Sequence, residues 1–171
     1  MRNKQVVMFA ASQGGHFKEL MGLKELFGQY ESVLVTDNIS IKNQPELTDD
    51  FNAVELSFAK ATNRSKNAGT TSQSSRWKGL ISYIKMFIEC FRIYRKHKPA
   101  VVISTGSYIA VPLFVMAKIY RAKSIFIESN AMVHSKTATG KLVTKLADKI
   151  YVQWPEMLDV YKSAEYYGVL H

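Results

Sequence analysis

Residues 5–28, QVVMFAASQGGHFKELMGLKELFG, change character halfway. Gln5 to Ala11 is a short continuous apolar run, the pattern of a strand buried on both faces of a sheet. A Gly-Gly pair and a histidine follow. From Phe17 onward Leu20, Leu23, Leu26 and Phe27 fall on one helical face, with Gly28 as the expected stop. A buried strand that runs through glycines directly into a helix is the opening unit of a parallel α/β sheet.

The pattern repeats. ESVLVTDN (31–38), NAVELSF (52–58), PAVVIST (99–105), KSIFIES (123–129) and KIYVQW (149–154) read as further strands, the last two each preceded by a helical segment. The expected fold class is α/β, a Rossmann-like doubly wound and mostly parallel sheet. At 171 residues and 47% hydrophobic content the chain suits a single domain over 1–171. It contains no repeat of solenoid period.

Composition excludes several classes. The single cysteine, Cys90, lies in an apolar stretch, so there is neither a disulfide framework nor a Cys/His zinc spacing. A reducing compartment is expected, with no metal and no cofactor. The N-terminal MRNKQVVMFAAS has about six apolar residues before Ser12, too few for an export signal. The formal charge of +9 is localised: residues 60–98 hold ten Lys and Arg against Glu89 alone, and the remainder is balanced. An anionic partner should meet that window.

Within it, KATNRSKNAGTTSQSSR (60–76) is polar and cationic without a hydrophobic period, which predicts a flexible basic loop. An amphipathic helix is expected over 77–96. Trp77, Leu80, Ile81, Ile84, Phe87, Ile88, Phe91 and Tyr94 form one stripe, widened by Tyr83, Met86, Cys90 and Ile93. The narrow polar strip carries Lys78, Lys85 and Arg92, and Arg95 and Lys96 extend the positive charge. Charges interrupt the segment too often for a membrane span, which needs about 20 apolar residues. Either the helix lies in a membrane interface with its cations at anionic headgroups, or it is a core helix with surface lysines. The neighbouring cationic loop favours the membrane. A basic patch also suits nucleic acid, but the apolar stripe is too continuous for a groove-reading helix, and no nucleic-acid partner is expected.

The residues suited to chemistry follow strand C-termini, where open α/β sheets place ligands. Gly14 and Gly15 let the backbone approach a phosphate or diphosphate, or make a plain tight turn. Neither a dinucleotide fingerprint nor a P-loop is present. His16 is a candidate general base or anion contact. Thr105, Gly106 and Ser107 repeat the device after the fourth strand, with Ser107 as a possible N-cap. Glu128, Ser129 and Asn130 follow the fifth; Glu128 can orient a sugar hydroxyl or His16, or cap the next turn. Asp37 and Asn38 suit an Asx turn.

The segments AASQGGHFKELMGLKELF, VLVTDN, KPAVVISTGSYIAVPLFVMAKIY and IFIESNAMVHSKTATGKLVTKLADKIYVQW, with ordered GGH, TG, ES and TGKL motifs, resemble the acceptor-side subunits of two-component GT-B glycosyltransferases. These include PssD/CpsF-type bacterial polysaccharide proteins and the membrane-recruiting subunit of the eukaryotic dolichol-linked N-acetylglucosaminyltransferase. The resemblance extends distantly to the N-terminal half of MurG. It implies the N-terminal half of a GT-B fold that binds a polyprenyl-diphosphate-linked sugar acceptor and is not active alone. The partner would be a donor-binding subunit, the C-terminal GT-B half, and the location the cytoplasmic face of the cell membrane, held peripherally. Gly14, Gly15, His16, Thr105, Gly106, Ser107, Ser129 and Asn130 would line the acceptor diphosphate site. His16, and after it Glu128, would be the catalytic base. The eukaryotic subunit normally begins with a spanning anchor, and none is visible here, which favours the bacterial exopolysaccharide or capsule type. A self-sufficient nucleotide-using Rossmann enzyme and a basic nucleic-acid-binding protein are the alternatives. The C-terminal EYYGVLH is expected to dock on the partner.

Overall fold

The alternation of apolar faces along the first strand explains how the chain is layered. In the computed structural model, which describes residues 5–37, 54–58 and 73–170, β1 (Val6–Ala10) sends successive side chains to opposite sides of one sheet. Met8 and Ala10 join Val33, Val35 and Val102 in one core layer, with Val7, Phe9 and Ala11 joining Leu34, Ile103 and Ile127 in the other. Each fully buried aliphatic or aromatic side chain contributes about 1.5–3 kcal/mol through removal from water.

The sheet comprises β1, β2 (Glu31–Thr36), β3 (Val54–Phe58), β4 (Val101–Ser104), β5 (Lys123–Ile127), β6 (Lys149–Val152) and β7 (Ala164–Tyr166). All pairs are parallel and the order is β3-β2-β1-β4-β5-β6-β7. Strand order therefore reverses between β1 and β4, where Phe9 faces Ile103 and Ala10 faces Ser104. That is the topological switch point, and every strand's C-terminal end lies on the same rim.

Helix α1 (Gly15–Met21) packs Phe17 and Leu20 on one face of the sheet. On the other lie α2 (Gln73–His97), α3 (Ala110–Tyr120), α4 (Ala138–Val143) and α5 (Met157–Val160), through Met86, Cys90, Tyr94, Leu113, Phe114, Val143 and Met157. Burial pushes the Cys90 thiol up to about 12, which leaves it an inert core side chain.

Four expectations are corrected. α1 does not run to Gly28: the Gly22 and Leu23 amides turn back onto the Glu19 and Leu20 carbonyls, and a 3-10 turn (Lys24–Leu26) follows. That turn seats Phe27 edge-on against Phe9, ring centroids 4.7 Å apart, so tertiary packing overrides the helical period. α2 begins at Gln73 and takes in the last residues of the expected basic loop; residues 60–72, with Asn38, lie outside the described residues. Ser107 is not a helix cap, since α3 starts at Ala110 and Ser107 sits at φ 80 in the left-handed region. The C-terminal segment adds a seventh strand to the sheet's own edge. Its Leu170 N–H donates to Gln153 Oε1 at 2.9 Å, so much of EYYGVLH packs on this chain.

The expected stripe of α2 divides in two. Met86, Cys90 and Tyr94, four residues apart, are buried; Leu80, Ile81, Ile84 and Ile88 are exposed, about half of each side chain's surface open. Phe87 and Phe91 are half-buried between them, and Lys85, Arg92, Arg95 and Lys96 are exposed. Arg92 pairs with Glu89 at 2.8 Å. Trp77 and Lys78 belong to the helix by their backbone, and their side chains lie outside the described residues. Among the described residues no helix is long and apolar enough to cross a membrane.

Candidate functional site

The loops after β1 and β4 flank the switch point and are fastened to each other by reciprocal bonds. Thr105 Oγ1 donates to the His16 carbonyl at 2.6 Å, and His16 Nδ1 lies 3.0 Å from the Thr105 carbonyl. The Ser12 N–H donates to Ser107 Oγ at 3.2 Å, which accounts for the unusual backbone of Ser107. Ser104 Oγ donates to the Ala10 carbonyl just beneath. Asp37 ties in the end of β2: its Oδ1 accepts from the Gln13 N–H at 3.0 Å and its Oδ2 from the Tyr108 hydroxyl.

Gly106 is fixed by the histidine. At φ +124, a Cβ there would lie 2.7 Å from His16 Cε1, so the imidazole rests across the glycine backbone. Gly14 and Gly15 are different. Gly14 needs its positive φ of 102, but a Cβ on either would meet nothing within 4 Å. Internal packing therefore gives no reason for the missing side chain at Gly15; the space in front of both is open.

The chemistry of His16 follows from its partners. A carbonyl only accepts, so the Thr105 contact requires a proton on Nδ1 and leaves the lone pair of neutral His16 on Nε2. Glu19 Oε2 stands 3.8 Å from Nδ1, one helical turn on. The Glu19 carboxylate raises the imidazole's pKa above its usual 6.5 and the Thr105 carbonyl adds to this, against the opposing effect of burial. Glu19 is itself held by the β5 loop, its Oε1 accepting from Ser129 Oγ and the Asn130 N–H, both at 2.9 Å. His16 is thus a half-exposed imidazole, oriented at Nδ1, with Nε2 available as a base.

Glu128 occupies the neighbouring strand end in another manner. It is 1% exposed. Oε1 accepts from the Ser129 N–H at 3.0 Å and Thr137 Oγ1 at 2.9 Å; Oε2 accepts from the Thr137 N–H at 3.1 Å and from the Tyr161 hydroxyl. With donors on both oxygens and no solvent access, the carboxylate braces the β5 loop against α4. Thr137 also caps α4, its Oγ1 accepting from the Gly140 N–H at 2.8 Å. Gly140 has no alternative: a Cβ there would fall 2.1 Å from the Tyr161 hydroxyl and 2.4 Å from Glu128 Oε2.

The sequence-derived residues His16, Gly14, Gly15, Thr105, Gly106, Ser107, Ser129 and Asn130 therefore share the rim, with Glu128 beneath it. Glu19, Tyr108, Thr137 and Tyr161 complete the constellation and were not anticipated. Glu19 carried one usable signal, its i,i+3 spacing from His16. Among the described residues four buried side-chain polar atoms have no hydrogen-bond partner; three of them, Ser12 Oγ, Glu19 Oε2 and Asn130 Oδ1, are at this rim. Orphaned buried acceptors are uncommon, and their concentration marks a place built to receive donors.

A family model described as "Oligosaccharide biosynthesis protein Alg14 like" matches residues 6–170. The chain belongs to the Alg14-like family. The UDP-N-acetylglucosamine transferase subunit ALG14 of Candida albicans is 30% identical over 131 residues, covering 67% of this chain and 60% of that protein. The corresponding subunit of Yarrowia lipolytica is 29% identical over 113 residues, 63% of this chain and 50% of that protein. The chain thus spans about half to three-fifths of these two relatives. Among solved structures, Acinetobacter baumannii MurG superposes with a TM-score of 0.66 at 18% identity, over 90% of this chain and 42% of MurG. This Alg14-like chain accordingly has the Rossmann-like α/β fold of one half of a GT-B glycosyltransferase.

Proposed function

We propose that this Alg14-like chain is the membrane-associated acceptor subunit of a two-component glycosyltransferase. It holds a polyprenyl-diphosphate-linked saccharide at the Gly14-Gly15-His16 rim while a separate donor-binding subunit, the C-terminal GT-B half, closes over it with a nucleotide-sugar. The observation that carries the proposal is the imidazole of His16, fixed through Nδ1 beside a glycine backbone whose outer side is open. The Candida albicans and Yarrowia lipolytica relatives are UDP-N-acetylglucosamine transferase subunits, which agrees with it.

In the transfer, an acceptor hydroxyl attacks the anomeric carbon of the donor. The new C–O bond forms as the bond to the nucleoside diphosphate breaks, and the hydroxyl proton passes to His16 Nε2. The backbone of Gly14 and Gly15, with Ser107, Ser129 and Asn130, would hold the acceptor diphosphate, while Thr105, fully buried with its hydroxyl on the His16 carbonyl, supports the rim from behind. Glu19 is a positioning residue that keeps the proton on Nδ1, and Glu128 is the brace behind it rather than a second base. The exposed face of Leu80, Ile81, Ile84 and Ile88, edged by Lys85 and Arg92, suits peripheral attachment to an anionic membrane at its cytoplasmic face. The setting we propose for this transfer is exopolysaccharide or capsule synthesis.

The test is His16→Ala in the pair reconstituted with the donor-binding subunit. Transfer is expected to fall by about 10²–10⁴, the usual contribution of a positioned base, with acceptor binding largely kept. Unchanged turnover would remove His16 as the base, and full transfer by the isolated chain would overturn the half-enzyme assignment.

A further inference from the structure

At the opposite end of the sheet from His16, where β4 and β5 begin, lies a cavity of about 370 Å³ lined by Tyr94, Arg95, Lys98, Pro99 and Tyr120. Tyr94 and Tyr120, both lining it, stack on each other, ring centroids 5.4 Å apart and planes 26° from parallel. Tyr94 is 2% exposed, and its buried hydroxyl has no hydrogen-bond partner. This is the one such orphan away from the His16 rim among the described residues. Arg95 and Lys98 are exposed, and neither has a carboxylate within ion-pair distance among the described residues. Lys98 caps α2 in the left-handed conformation at φ 46, its N–H donating to the Tyr94 carbonyl at 2.8 Å. Glycine takes that conformation freely, whereas here a cation is held there at a steric cost. Arg95 lies seven residues beyond Ile88 and four beyond Phe91, its guanidinium 5.8 Å from the Phe91 ring, so the apolar face of α2 leads directly to the cavity mouth.

We infer that the cavity bounded by Tyr94, Arg95, Lys98 and Tyr120 is a second binding site, specific for a phosphate group. Arg95 and Lys98, with no carboxylate in ion-pair reach among the described residues, supply the charge, and the tyrosine rings form the walls. The Tyr94 hydroxyl is protonated at neutral pH, and burial pushes its pKa further up, to about 12. The approach along Ile84, Ile88 and Phe91 suits the phosphate of an anionic phospholipid, with its chains on α2; a soluble phosphate ester shares the same head chemistry. The inference is independent of the transfer chemistry proposed for His16, and extends the membrane contact of α2 from an apolar surface to a headgroup pocket.

The experiment compares the full chain with Arg95→Gln/Lys98→Gln and with the control Lys162→Gln, an exposed lysine that does not line the cavity. Binding is measured to neutral phosphatidylcholine vesicles, to the same vesicles with a minor fraction of phosphatidic acid, and to inorganic phosphate by tyrosine-ring NMR shifts. The neutral vesicles report the apolar face alone and are expected to bind all three proteins alike. The gain on adding phosphatidic acid should fall at least about tenfold in the double variant and less than about twofold in the control. If inorganic phosphate shifts Tyr94 and Tyr120 in the parent but not in the double variant, the site takes soluble phosphates as well; a response to vesicles alone assigns it to lipid. Loss of the gain to the same extent in Lys162→Gln, or a parent chain that binds neither probe, would overturn the site.

Discussion

The β1/β4 corner and the β5/α4 corner are built from the same kinds of residue and do opposite things. At the first, His16 is held at Nδ1 only, Glu19 Oε2 accepts no hydrogen bond, and two glycines face open space. At the second, Glu128 has donors on both oxygens, and Gly140 is a glycine because Tyr161 and Glu128 fill the place of its side chain. A titratable residue after a parallel strand is therefore not a site in itself; what separates the two corners is unused bonding capacity. The four motifs pair accordingly: GGH clasps TG to make the open corner, and ES bonds to Thr137, the cap of the helix that carries TGKL, to make the closed one.

The largest effect should come from breaking the closed corner. Glu128→Ala strands the Tyr161 hydroxyl and the Thr137 and Ser129 donors, and is expected to cost about 4 kcal/mol, read as a fall in Tm of roughly 8–16 °C. Gly140→Ala should follow at about 2–3 kcal/mol, since the crowding oxygens belong to a buried tyrosine and carboxylate that cannot swing away. His16→Ala, by contrast, should move stability by no more than about 1 kcal/mol while transfer is expected to fall by about 10²–10⁴. A large loss of Tm in that variant would erase the distinction between the corners.

Glu19→Gln sharpens the comparison with the smallest change. It removes the main cause of the elevated His16 pKa, so the acid limb of the transfer profile should move to lower pH. The linked stability has a definite sign. A histidine whose folded pKa is raised stabilises below its ordinary value near 6.5, and that stabilisation fades as pH rises through the folded value. The variant should lose the low-pH increment and keep the neutral-pH stability. An NMR titration of His16 alongside the pH–rate profile checks both, and an unmoved acid limb would remove Glu19 from its positioning role.

How much of this the amino-acid order discloses depends on range. Strands of five or six apolar residues, buried on both faces, announce themselves, and the Gly-Gly-His hinge stands out locally. β7 does not, because AEY is three residues of no pronounced hydrophobicity that pair only because β6 offers an edge. Glu19 looks like any helix carboxylate beside Lys18. Its importance comes from a loop 110 residues further along. Glu128 was placed correctly at a strand end, but its burial depends on Tyr161, 33 residues later, and no local pattern tells a covered carboxylate from an available one. The split of α2 into a core face and an outer face likewise depends on where α3 lies.

The clasp between the first and fourth strands also orders events during synthesis. Thr105 emerges 89 residues after His16, and the groups that hold Glu19 emerge 110 and 111 residues after it. At about 5–20 residues per second, the N-terminal hinge waits about 5–20 s on the ribosome before the groups that orient it exist. A nascent or prematurely terminated chain ending before the fourth strand would carry the complete hinge and none of the groups that orient it.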